Sequence, residues 1–138
     1  MKTITLKGRE IPLMLTSWEM KEIQEKIAPM GQAIDMLTGK NPEDEKDQSR
    51  YGSAEHLGAI AQWIVILGNA GLEETGEEGN LTTKQVLRSI KPADLADAAN
   101  ACLDAINEGM KSEIPPNKAE GPVDVTLEEI NKKKEMES

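Results

Sequence analysis

The sequence predicts a mainly α-helical protein with a small N-terminal β-hairpin. The expected form is a compact domain of four to five helices over residues 1–110, followed by a flexible C-terminal tail over residues 111–138. Three observations lead there. Residues 2–15 alternate apolar and polar side chains around a glycine turn. Later segments open on Ser or Thr at helix-capping positions and then repeat apolar residues every three or four positions. The last 28 residues carry 12 charged side chains and few large apolar ones, too little apolar surface to offset the entropy of ordering.

Ile4 and Leu6 share one strand face, and Ile11, Leu13 and Leu15 share another. Gly8 suits the first central position of a two-residue II′ turn, which needs positive φ there. Pro12 lacks an N–H, so its strand should be an edge or turn that nitrogen outward. A lone hairpin is marginal in water, so this one must lie on the helices or pair with another chain's edge.

Thr16 and Glu19 stand at capping-box spacing. The apolar positions that follow, Met20, Ile23, Ile27, Met30, Ile34 and Leu37, form a heptad-like stripe. The stripe is too short for a safe coiled-coil reading and is better taken as the core face of an amphipathic segment. Pro29 should divide that segment or kink it. Gly39 can end it.

Residues 40–52 read as an exposed loop. Ser53 can cap a helix from Ala54 to about Asn69, apolar on most sides and therefore central. Asn69-Ala70-Gly71 is expected to end it, and Glu73–Asn80 to form an acidic loop. Thr82 and Gln85 are a second capping-box pair, opening a short helix. Pro92 suits the first position of the next helix, which ends at Gly109 or at Ile114-Pro115-Pro116. Within the tail, Thr126 and Glu129 mark a short helix over 127–135.

The net charge of −9 disfavours a nucleic-acid backbone partner, which needs a basic face. An acidic DNA mimic ranks low because the acids cluster in loops among lysines. A single cysteine excludes an intramolecular disulfide and fits a reducing compartment. No signal peptide or membrane span is read, so a cytoplasmic protein without a membrane partner is expected.

Catalytic chemistry finds little to use. His56 is the only histidine and has no nucleophile beside it; a surface or capping role is expected. Cys102 lies among alanines on an apolar helix face and reads as a buried, inert thiol. The Glu73-Glu74 and Glu77-Glu78 pairs lack a calcium-loop pattern. Gly68-Asn69-Ala70-Gly71 lacks the Lys-Ser or Lys-Thr of a phosphate loop. No enzyme, cofactor or metal is expected.

The order of features nevertheless resembles a family. A glycine-turn hairpin over Lys2–Leu15 leads into a helix. A central helix ends Trp63-Ile64-Val65-Ile66-Leu67-Gly68-Asn69-Ala70-Gly71-Leu72. Leu81-Thr82-Thr83-Lys84-Gln85-Val86 follows, then a helix after Pro92 ending near Ile106-Asn107-Glu108-Gly109-Met110, then the charged tail. This resembles the tail assembly chaperones of long-tailed phages and prophages of Gram-positive bacteria. The resemblance covers roughly residues 2–110. It implies a protein that binds the tape measure protein, recruits tail tube subunits around it in the host cytoplasm, and is absent from the mature virion.

Members of that family often make a longer product by ribosomal frameshifting; Lys132, Lys133 and Lys134, whose codons permit an A-rich run, are the candidate position. No binding motif transfers. The candidate partner-binding residues are Trp18, Met20, Ile23, Ile27, Met30, Ile34 and Trp63. A homo-oligomer stays open. The alternative reading is a structural minor tail or head–tail connector protein.

Overall fold

The computed structural model describes residues 1–41, 43–44 and 46–111. The readings for residues 112–138, including the 127–135 helix, the Ile114-Pro115-Pro116 stop and the Lys132–Lys134 run, lie outside them. The described residues are mainly helical, with an N-terminal two-stranded antiparallel hairpin and five α-helices. The hairpin is β1 (Lys2–Leu6) and β2 (Arg9–Leu13). The helices are α1 (Ser17–Lys26), α2 (Met30–Thr38), α3 (Ala54–Glu74), α4 (Thr83–Arg88) and α5 (Leu95–Met110).

The hairpin closes on the pair Leu6 and Arg9, so its two central residues are Lys7 and Gly8. Their φ values are +51° and +79°. Two positive φ values make the turn type I′, with Gly8 second, where the sequence suggested II′ with Gly8 first. The I′ form matches the twist of the flanking strands, and Lys7 accepts a left-handed conformation to give it. Ile4 lies opposite Ile11, and Leu6, Ile11 and Leu13 are buried. The apolar residues of both strands therefore form one core-facing surface.

Local signals set most helix ends. The Thr16–Glu19 and Thr82–Gln85 capping boxes both form. The Ser53 side chain accepts the His56 N–H at 3.1 Å, and Gly39 ends α2 at φ +74°. The break at Pro29 is complete: α1 and α2 are separate helices. Pro92 opens a short 3₁₀ turn, Pro92–Asp94, that leads into α5.

Helix α3 is the axis of the domain and touches β2 and all four other helices. Ile60, Ala61, Trp63, Ile64, Leu67 and Leu72 are fully buried on it. It runs to Glu74, about one turn beyond the expected end at Asn69-Ala70-Gly71. Those glycines do not terminate the helix. A Cβ on Gly71 would lie 2.1 Å from the Pro12 carbonyl oxygen, and one on Gly68 would lie 2.7 Å from Leu81 Cδ1. They remove side chains where β2 and the segment before α4 press on the helix. Gly109 is also inside its helix, where a Cβ would lie 2.6 Å from the Leu15 carbonyl oxygen.

Three stability measurements follow. Gly71→Ala should lower unfolding free energy by about 3 kcal/mol, at the upper end of overpacking costs, because backbone rather than a flexible side chain must move. Gly58→Ala, in the same helix with open space around it, should instead be neutral or stabilising by up to ~1 kcal/mol. Urea titrations of both variants test the assignment. Lys7→Asn should raise the urea midpoint by the equivalent of about 1 kcal/mol, since Asn tolerates the left-handed region that lysine disfavours.

Candidate functional site

The side chains with chemical potential are largely used by the fold. His56 is buried on the first turn of α3. Its Nδ1 accepts the Gly52 N–H at 2.8 Å, so the ring proton resides on Nε2, which donates to the Leu37 carbonyl at 3.0 Å. Leu37 is near the end of α2, where carbonyls lack helical partners. His56 is thus a capping residue, as one reading of the sequence held, but it is not on the surface. It caps another helix from the interior, with Tyr51 tilted against the ring at 4.8 Å between centroids.

Cys102 is completely buried on α5, and burial pushes its thiol up to about 12 from 9.0. The thiolate is the reactive form, so this cysteine is held in its unreactive state. Among the described residues, no group of three or more His, Cys, Asp or Glu is placed to hold a metal ion. The acidic loop after α3 is exposed. Glu77 meets Arg9 of β2 at 3.3 Å, and Glu78 accepts from Asn80 at 3.4 Å. In the 40–52 loop, N–H donation from Ser49 and the amide of Asn41 lower the pKa of the half-buried Asp47, a local turn arrangement.

The candidate contact residues divide sharply. Ile23 and Trp63 have no exposed surface. Trp63 donates its indole N–H to the Ala33 carbonyl at 3.0 Å, tying α3 to α2. Both are core residues and offer a partner nothing in this structure, which corrects their inclusion among contact residues. Trp18 is 62 % exposed, with the Lys21 ammonium 5.0 Å from its ring centroid. Met20, Ile27, Met30 and Ile34 are half-buried: each packs one side on the core and leaves the other in solvent. Met20 and Ile27 are seven residues apart on the α1 side, and Met30 and Ile34 four apart on α2, spacings that keep each pair on one face. Trp18 stands apart from them: two residues before Met20, it lies on the other side of α1, with Lys21.

Sequence reasoning missed Asn69. Its Oδ1 accepts the Leu81 N–H at 2.8 Å and its Nδ2 reaches the Leu81 carbonyl at 3.5 Å, so one amide pins the segment that leads to α4. The available signal was an amide within an otherwise apolar run. No family model, curated protein or solved structure gives a significant match to the chain.

The thiol assignment has a direct check. Native protein should resist a disulfide reagent such as DTNB and react fully in urea. Because the folded thiol stays neutral while the unfolded one ionises, stability relative to Cys102→Ala should fall as pH rises from 9.0 toward about 12 and be level below that window. Rapid native labelling, or an identical alkaline profile for the variant, would contradict the assignment.

Proposed function

We propose that the chain is a non-enzymatic assembly chaperone of a long-tailed phage or prophage, which binds the tape measure protein and recruits tail tube subunits around it. The structural observation that carries the reading is the set of half-buried apolar residues on α1 and α2, Met20, Ile27, Met30 and Ile34, with Trp18 exposed on the other side of α1. Methionine and aliphatic side chains half-seated in a core form an adaptable surface for an amphipathic helix. The family itself rests on the order of features in residues 2–110.

On this reading the protein works in the host cytoplasm and leaves before the tail is complete. Net negative charge helps keep a bound apolar client in solution. His56 and Cys102, the residues most suited to catalysis by type, have structural uses, so the role asks only for contact.

Co-expression with the neighbouring tape measure gene tests the proposal. The tape measure protein should become soluble and co-purify with this chain, and mass spectrometry should not find the chain in purified virions. Trp18→Ala should weaken the complex at least tenfold, as for an exposed aromatic anchor, with the melting temperature unchanged. A tape measure protein that stays insoluble and unbound would refute the chaperone role. Presence in virions would indicate a structural tail or connector component instead.

A further inference from the structure

The two edges of the hairpin are not equivalent. In a two-residue hairpin closed by Leu6 and Arg9, alternate pairs exchange hydrogen bonds, so Glu10 and Pro12 on β2, and Thr3 and Thr5 on β1, turn their backbone groups away from each other's strand. On β2 this outward edge is closed at Pro12. Pro12 has no N–H, and its carbonyl lies where a Gly71 Cβ would stand on α3. On β1 it is open. Thr3 and Thr5 are exposed, and among the described residues no other group takes their backbone N–H or C=O. Along its length the strand packs on α5, and its start is tied there by the Lys2 N–H donating to Glu108 at 3.2 Å.

We infer that the β1 edge is a self-association surface, on which β1 of a second copy pairs antiparallel with its centre at Ile4. The occupant follows from self-complementarity. In that register Thr3 faces Thr5 of the second copy and Thr5 faces its Thr3, so every outward N–H and C=O of these residues meets a partner. Threonine pairs across strands are favourable. Ile4, half-buried, meets its own counterpart, and Lys2 meets Leu6, so no like charges stand opposed. Shifting the centre by one residue leaves only one of the two threonine positions paired within the strand.

Charge permits the approach. Although the chain carries −9, the sheet's surroundings set Lys2, Lys7 and Arg9 against Glu10, Glu77 and Glu108. The edge is five residues long and buries less than the ~1,200 Å² of a standard interface, so the dimer is concentration-dependent.

Sedimentation equilibrium on the full chain, with amide exchange read by NMR, tests this without any client protein. The wild type should shift from monomer to dimer between about 10 μM and 1 mM, and the Thr3 and Thr5 amides should gain protection over the same range. Thr3→Lys/Thr5→Lys opposes lysines across the edge and should abolish both changes. Thr3→Lys/Thr5→Glu faces Lys with Glu in the antiparallel register and should restore them. Both pairs are exposed, so melting temperatures at low concentration should match the wild type. A monomer throughout, a dimer indifferent to the double-lysine variant, or protection that appears only when a different protein is added would overturn the inference.

Discussion

The fold depends on a close approach between a strand and a helix that only glycine permits. The Pro12 carbonyl of β2 lies against α3 at Gly71, and Ile11 reaches toward the same helix at Gly68. Just beyond the strand, the Met14 N–H donates to the Leu67 carbonyl at 3.1 Å. A hairpin alone is marginal in water, and this contact makes it part of the core. It also fixes the orientation of the sheet, with Leu6, Ile11 and Leu13 inward. The same helical stretch serves the other side of the molecule. Gly68 admits Leu81, and Asn69 binds the Leu81 backbone, so residues 68–71 position both the hairpin and the approach to α4.

A second set of contacts joins α2 to α3, and it is polar. His56 binds the Leu37 carbonyl, and the Trp63 indole binds the Ala33 carbonyl. Both acceptors are backbone groups of α2. A buried donor or acceptor left without a partner costs about 1–3 kcal/mol, so these bonds specify how the helices dock as well as adding stability. Glu19 is treated alike: though buried, its carboxylate accepts the Thr16 N–H at 2.9 Å within the capping box. The interior's polar side chains thus hold the architecture, and contact with other molecules falls to residues at the surface.

The parts of this structure that were legible in the sequence are those with local causes. Thr16 with Glu19, Thr82 with Gln85, Ser53, Gly39 and Pro29 act within one helical turn, and each acts where the sequence placed it. The misreadings arise where a distant segment decides. Gly71 resembles a helix stop until β2 is laid against it. Trp18 and Trp63 are alike in the sequence, yet one is 62 % exposed and the other buried completely. Periodicity found the stripe through Met20 and Ile34 but could not say which of its members stand at the margin of the core. Ile23 is buried completely, whereas Met20 and Ile27 keep one side in solvent.

On the proposed reading, the charge pattern of α1 bears on how a client meets the exposed Trp18. On α1 the charged residues around Trp18 are paired: Lys21 with Glu25 at 2.9 Å, and Lys26 with Glu22 at 3.2 Å. Exposed pairs at this spacing contribute only about 0.3–0.5 kcal/mol to helix stability. Their greater effect is on the field at the surface. On the proposed reading, a client helix that meets Trp18 finds Glu22 and Glu25 each beside an ammonium, although the whole chain carries −9. Lys21 adds a second contact by sitting over the Trp18 ring, which limits the positions that ring can take before a partner arrives. Restricting an aromatic anchor in advance reduces the entropy lost on binding. Four further acids, Glu73, Glu74, Glu77 and Glu78, are exposed at the end of α3 and in the loop after it.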